Sequence, residues 1–395
     1  MMETTGRAHP RLGGCKSVRV ILLYTTVFCT FACGENDTAQ EPFEIEFPVA
    51  FPDAPIPEDN VPTEAKIALG RHLFYDKLLS GNESYSCGTC HQQALAFTDG
   101  KGIAVGSTNE AHSLGSMSLA NIAYAATLGW GNPTMTTLEA QALVPMFGEE
   151  PVELGLSILT ESELLDRLRA EERYQMLFPE AFPASEDPFT VANVVKAIAT
   201  FERTLISADS AYDRYQAGDR DALTESEKRG MDLFFSERLE CFHCHGGFNF
   251  SDSVKSPEFP FSEKPFHNNG MYNVANSGAY PGNQGVYELT QEREDRGTFK
   301  APTLRNIAVT APYLHDGSVA TLEELLQLYA NGGRVIDEGD QAGDGTVHPN
   351  KSPFIAGFVL TDEEAKDLVA FLNALTDTAF LTNPAYADPY AEAAP

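Results

Sequence analysis

Cys87-Gly88-Thr89-Cys90-His91 and Cys241-Phe242-His243-Cys244-His245 are two copies of one five-residue frame, and everything else in the chain is organised around them. Two thiols three positions apart, followed at once by a histidine, are what covalent attachment of a c-type haem requires. The thiols form thioethers with the haem vinyls, and the adjacent imidazole binds the iron from the proximal side. Composition alone would produce such a pentamer roughly 0.003 times in a chain of this length, so two copies are not an accident. A zinc site would want a second ligand pair nearby, and a thioredoxin-like site would lack the regular histidine. The remaining cysteines, Cys15, Cys29 and Cys33, all lie in the first 33 residues, which leaves none for a disulfide in the mature part.

Outward from the frames, the chain repeats itself. Leu69-Gly70-Arg71-His72-Leu73-Phe74-Tyr75-Asp76 precedes the first frame and Arg229-Gly230-Met231-Asp232-Leu233-Phe234-Phe235-Ser236 the second. Phe97-Thr98-Asp99 and Phe250-Ser251-Asp252 follow them as an echo. Spacing of this kind reads as a tandem of homologous units. Between the loops helical signals dominate: capping boxes at Thr224 to Glu227 and Thr361 to Glu364, the latter opening an amphipathic run towards Leu375, and helical apolar spacing from Val191 to Leu205. Pro183 to Pro188 and Asn331 to Lys351 read as loops, and the acidic run Asp337 to Asp344 lacks the spacing of a calcium-binding EF-hand. The expected fold is mainly α: two tandem cytochrome-c-like domains, each with one covalent haem.

The chain has 395 residues, 43% of them hydrophobic and 21% charged, with 57 acidic against 27 basic side chains and a formal charge of -30. A field of that sign repels nucleic acid, so no nucleic-acid partner is expected. The N-terminus carries Arg7, Arg11, Lys16 and Arg19, then an apolar run from Val20 to Phe31, then Ala32-Cys33-Gly34. This reads as a secretory signal, placing the protein in the periplasm. Cleavage before Cys33 with lipid added to that cysteine would anchor the chain to the membrane; cleavage nearby would release it. The expected division is a signal peptide at 1–33, an acidic tether at 34–60, haem domains at 61–215 and 216–376, and a tail at 377–395.

Over residues 60–376 the chain resembles the bacterial dihaem cytochrome c peroxidase and MauG family. The resemblance rests on the two frames, on Leu138-Glu139-Ala140-Gln141 with Pro145 and Glu153, on Ala301-Pro302-Thr303-Leu304-Arg305-Asn306, and on Thr310-Ala311-Pro312-Tyr313-Leu314-His315-Asp316-Gly317. It implies a first haem that reacts with H2O2 and a second that holds or relays electrons, with His91 and His245 as proximal iron ligands. The distal ligand of the second haem would come from the helix after Pro312-Tyr313-Leu314-His315, a Met in the peroxidases and a Tyr in MauG. This chain offers Tyr329 there, and its last methionine, Met271, is far upstream. A hard phenolate lowers the reduction potential and favours high-valent iron.

The resemblance further implies that Trp130, the only tryptophan, bridges the haems, and that Gln141, Pro145 and Glu153 line the peroxide side of the first, Glu153 moving the proton that O–O cleavage needs. No histidine stands at the offset where the peroxidases cap that haem; His112 is displaced, so five-coordination is expected. His267 and His315 fit supporting or haem-propionate roles. A calcium ion between the haems would use the carbonyls of Thr310 and Pro312, although Gly115 replaces the family's Asn ligand. Met117-Ser118-Leu119-Ala120-Asn121, Val144-Pro145-Met146-Phe147-Gly148-Glu149 and Glu237-Arg238-Leu239-Glu240-Cys241 look like the methanobactin-associated MbnH branch. That branch implies a bis-Fe(IV) state and oxidation of a tryptophan to kynurenine in a secreted, copper-binding partner of the MbnP type. The alternatives are a cytochrome c peroxidase fed by a small cytochrome or cupredoxin, and a plain electron carrier with both irons six-coordinate.

Overall fold

Two helix pairs, built alike, carry the two haem frames. In chain order the principal helices are α1 (Glu64–Tyr75), α2 (Leu138–Phe147), α3 (Glu161–Arg169), α4 (Glu172–Ala181), α5 (Val191–Arg203), α6 (Ala211–Gln216), α7 (Glu225–Phe234), α8 (Leu322–Ala330), α9 (Asp362–Asn373) and α10 (Thr378–Thr382). The computed structural model describes residues 43–48, 50–258 and 265–391, all within one compact unit. The leader, with Cys33 and its cleavage or lipid attachment, lies outside the described residues. No helix among the described residues is long and apolar enough to cross a membrane.

The first pair is α1 on α5, the second α7 on α9. Each crosses at a glycine: a Cβ on Gly70 would lie 1.9 Å from the Ala197 carbonyl oxygen, and one on Gly230 would lie 1.9 Å from that of Asp367. Only glycine lets two helix backbones approach so closely, which is why a helix-weakening residue sits at the same place in both copies. One turn beyond each crossing the aromatic contacts repeat, Phe74 on Phe201 at 5.3 Å and Phe234 on Phe371 at 5.4 Å between ring centroids. Phe97 and Phe250, from the echo, complete them at 6.1 and 6.0 Å. These rings are essentially buried, each contributing about 1.5–3 kcal/mol by leaving water. Two main hydrophobic cores result among the described residues, one per half, with two smaller clusters beside them.

The mainly helical expectation is met. The expected capping boxes are present, Thr224 with Glu227 opening α7 and Thr361 with Glu364 opening α9. The run from Asn331 to Lys351, read as loop, also holds a two-residue antiparallel ladder, β1 (Val335–Ile336) with β2 (Gly343–Asp344).

Both ends differ from the expected tether and tail. From Phe43 onward the acidic segment lies on the body: Phe51 is buried against Phe248 at 4.7 Å, with the Arg305 guanidinium over its ring, and Asn60 donates to Glu139. At the other end α10 returns to the first half, where Phe380 packs on Phe97, and the hydroxyls of Tyr174 and Tyr390 both reach Asp76. Aromatic rings, too few to register in composition, give both segments enough apolar area to dock. Arg305, 1% exposed, ties the halves together through a forked ion pair with Asp213 at 2.8 and 2.9 Å and a bond to the Phe248 carbonyl.

Candidate dihaem site

Each frame forms a single helical turn, Cys87–Cys90 and Phe242–His245, with its histidine at or just past the end. His91 Nδ1–H donates to the Phe97 carbonyl at 2.7 Å and His245 Nδ1–H to that of Phe250 at 3.1 Å. A carbonyl can only accept, so the proton is on Nδ1 and Nε2 is left as the free ligand atom. Both phenylalanines adopt positive φ, 62° and 48°, a conformation bulky residues seldom take. The echo in the sequence is therefore the turn that aims a carbonyl at the imidazole. Burial lowers both histidine pKa values and favours the neutral, metal-binding form. Cys87, Cys90, Cys241 and Cys244 stand free beside these imidazoles. Burial drives the thiols of Cys87, Cys90 and Cys241 upward, which suits residues meant to end as thioethers. The donor set and the two cavities it faces fit two covalent haems.

The first cavity brings together His91, Trp130, Gln141, Pro145 and Glu153. Gln141 and Pro145 are one turn apart on α2, and Pro145 has no N–H to return to the Gln141 carbonyl. The Pro145 carbonyl accepts from Leu154 N at 2.9 Å and the Glu153 carbonyl from Ser107 N at 2.7 Å, which holds Glu153 over the cavity. His112 is a loop residue as expected, yet it also lines this cavity, its Nε2 3.8 Å from Glu153 Oε1. Burial raises the Glu153 carboxyl and lowers the His112 imidazole, so both lean to the uncharged form. Sequence reasoning missed Glu202. It sits on α5, one turn after Ile198, 6% exposed, with Oε2 unpartnered among the described residues. Burial pushes it up to about 8, although the neighbouring Arg203, engaged by Glu139 at 2.9 Å, works the other way. The signal available was an acid standing on the apolar stripe of a helix.

The second cavity is lined by His245 and, from α8, Tyr329. Burial pushes the Tyr329 phenol up to about 12, with Asn269 working against it. No methionine lines this cavity among the described residues, and Met271 is buried elsewhere. His267 and His315 also face it. His315 stacks on Phe299 at 3.8 Å, and burial pulls it down to about 4. His267 Nε2 lies 2.6 Å from Asp252 Oδ2; burial opposes its charge, but Asp252 and the Cys244 sulfur override it and raise it to about 10. The sulfur's share disappears once Cys244 is a thioether.

Trp130 lines both haem cavities and a third one between them. Its Nε1–H donates to the Gly115 carbonyl at 2.8 Å, and its own carbonyl accepts from Lys300 N at 2.8 Å. Thr310 and Pro312 line the central cavity, and no carboxylate does so among the described residues. Gly115 has no room for the family's Asn, because a Cβ there would lie 2.8 Å from the Gly102 carbonyl oxygen. Lys300 is the second residue that sequence reasoning missed, a lone cation between Phe299 and Ala301 whose burial depends on contacts far along the chain.

The profile of the family described as di-haem cytochrome c peroxidase matches residues 64–221, and one described as RoxA-like, cytochrome c-like matches residues 298–330. Cytochrome-c peroxidase IdrP1 of Denitromonas iodatirespirans is 34% identical over 93% of this chain and 95% of its own length. Methylamine utilization protein MauG of Methylorubrum extorquens is 32% identical over 84% of each. A crystal structure of a MauG-like protein associated with microbial copper homeostasis superposes with a TM-score of 0.86 at 44% identity, covering 88% of this chain and 99% of that one. This chain belongs to the dihaem cytochrome c peroxidase and MauG family.

Proposed function

We propose that the protein is a periplasmic enzyme of the MbnH type, held to the membrane through Cys33, that reacts with H2O2 and oxidises residues of a partner protein, converting tryptophan to kynurenine in a copper-binding protein of the MbnP type. The carrying observation is Tyr329: the cavity that His245 lines is also lined by a phenol and, among the described residues, by no methionine. The 44% identity to a MauG-like protein associated with microbial copper homeostasis supports the copper connection.

When bound, the two haems supply the peroxide reduction and store the oxidising equivalents. In this reading residues 61–215 and 216–376 would hold one haem each, with His91 binding the first iron and His245 and Tyr329 the second. Gln141 and Pro145 shape the open face of the first, where Glu153 takes a proton from peroxide and returns it to the departing oxygen. Trp130 carries electrons between the cavities. His267, cationic beside Asp252, and neutral His315 support the second haem and its carboxylates. A calcium ion in the central cavity would take the carbonyls of Thr310 and Pro312.

The 34% identity to a cytochrome-c peroxidase favours a second reading, removal of H2O2 with electrons from a small cytochrome or cupredoxin. EPR of the diferric protein before and after stoichiometric H2O2, with Tyr329→Phe alongside, separates the two. The MbnH reading expects one high-spin and one low-spin signal, both lost on peroxide without an organic radical, and loss of the low-spin signal in the variant. Two low-spin signals unresponsive until half-reduction would overturn it in favour of the peroxidase.

A further inference from the structure

Lysine is almost never fully buried without a counter-ion, because an ammonium loses its hydration on burial and only a partner charge offsets that loss. Lys300 is 6% exposed, and no carboxylate among the described residues forms an ion pair with it. The buried Glu202 lines the first cavity as well, but it forms no ion pair with Lys300, whose ammonium burial lowers. Among the described residues Nζ makes one hydrogen bond, to the Thr127 carbonyl at 2.9 Å. An ammonium has three N–H donors, so two are left over. Among the described residues only Lys300 and Trp130 line all three cavities: the first haem's, the second haem's and the central one.

We propose that the missing counter-ion is a haem carboxylate: Lys300 pairs with a propionate at the gap between the two haem cavities and couples that charge to the segment that carries Trp130. The family's two haems bring four propionates into cavities whose shared wall is this residue. Burial lowers the ammonium only to about 8, so at neutral pH it is still mostly charged and needs an anion. The coupling is built into the backbone. Lys300 Nζ holds the Thr127 carbonyl, Lys300 N holds the Trp130 carbonyl, and the four-residue turn between them is gripped at both ends. Loss of the pair therefore changes the charge beside a haem and loosens the turn that places the indole. Lys300 is a positioning residue, acting through the propionate and through Trp130.

The test uses the protein loaded with both haems, as wild type, Lys300→Met and Lys300→Arg. Met keeps the apolar stem and removes the charge; Arg keeps the charge. The readouts are the propionate-bending band in resonance Raman spectra and the midpoint potential of each haem by spectroelectrochemical titration. Lys300→Met is expected to shift the band and to lower at least one potential, because an unpaired carboxylate stabilises ferric iron; Lys300→Arg is expected to restore both towards wild type. If Lys300→Met leaves the band and both potentials unchanged, or if Lys300→Arg shifts them as far as Met does, the proposal is overturned. Should Lys300→Met fail to load two haems, Lys300→Gln replaces it under the same criteria. Neither readout involves peroxide or a partner protein, so failure here leaves the proposed function standing.

Discussion

Glu153→Gln isolates the proton from everything else in the first cavity. The main chain fixes this position through Ser107 N on the Glu153 carbonyl and Leu154 N on the Pro145 carbonyl, so an amide of nearly the same shape stays in place. A positioned acid–base group contributes about 10²–10⁴-fold to a proton-transfer step, which is roughly 2.7–5.4 kcal/mol of barrier at about 1.36 kcal/mol per tenfold. Stopped-flow measurement of the Soret change under excess H2O2 should show a loss of that size. The pH profile gives the sign independently. Burial raises the Glu153 pKa above the ordinary carboxylate value, and only the ionised form accepts the peroxide proton, so the wild-type rate climbs as pH rises through that raised value. In Glu153→Gln the climb disappears. His112→Ala leaves it in place, because burial and not His112 sets the Glu153 shift. Glu202, up to about 8 in the same cavity, is the competing source of an inflection, and Glu202→Gln identifies it. A Glu153→Gln enzyme within about threefold of wild type, or one that keeps the inflection, refutes Glu153 as the proton carrier.

Arg305→Met leaves the half-buried Asp213 carboxylate with only its bonds from Ser210 and should lower stability by about 1.5–3 kcal/mol in urea unfolding; a loss under about 1 kcal/mol would mean the fork does not join the halves. Gly230→Ala puts a Cβ 1.9 Å from the Asp367 carbonyl oxygen, and Gly70→Ala does the same at Ala197, so each should cost about 1–3 kcal/mol in thermal melts. Unchanged melting would show that the helix crossings are looser than described. Trp130→Phe keeps a ring but removes the Nε1 bond to Gly115, and should slow the response of the second haem to peroxide while both haems stay attached; freeze-quench EPR with an unaltered time course would eliminate the bridge.

The sequence was most legible where chemistry is local. A haem frame, a capping box or a repeated octapeptide is complete within a few neighbouring residues, and Thr224 with Glu227 opens a helix because both partners lie in one turn. The echo Phe97-Thr98-Asp99 was visible as a pattern, while its purpose, a left-handed turn aimed at Nδ1, is a backbone property that letters do not carry. Lys300 and Glu202 escaped notice for a different reason. Their significance is burial without a partner, and burial is set by contacts between segments far apart in the chain, such as Lys300 with Thr127. Phe51 and Phe380 show the same limit: acidic or terminal stretches read as solvated until one ring finds a pocket.

The two halves share everything on the proximal side and almost nothing on the distal side. Gly70 matches Gly230, the Phe74–Phe201 contact matches Phe234–Phe371, and the carbonyl of Phe97 does for His91 what that of Phe250 does for His245. An attachment scaffold repeated so closely would give two haems of one character. Difference has to come from the opposite wall, and there α2 offers Gln141, Pro145 and, past its end, Glu153, whereas α8 offers Tyr329. An amide, a proline ring and a carboxyl whose pKa burial raises are poor ligands for ferric iron, so in the proposed reading they would leave a coordination position for peroxide. In the proposed reading the buried Tyr329 phenol, a strong ligand once iron displaces its proton, would close the corresponding position on the second haem. A site that stores oxidising equivalents must not consume peroxide itself, so the proposed division of labour would require one open wall and one closed wall on a common frame, with Trp130, which lines both cavities, between them.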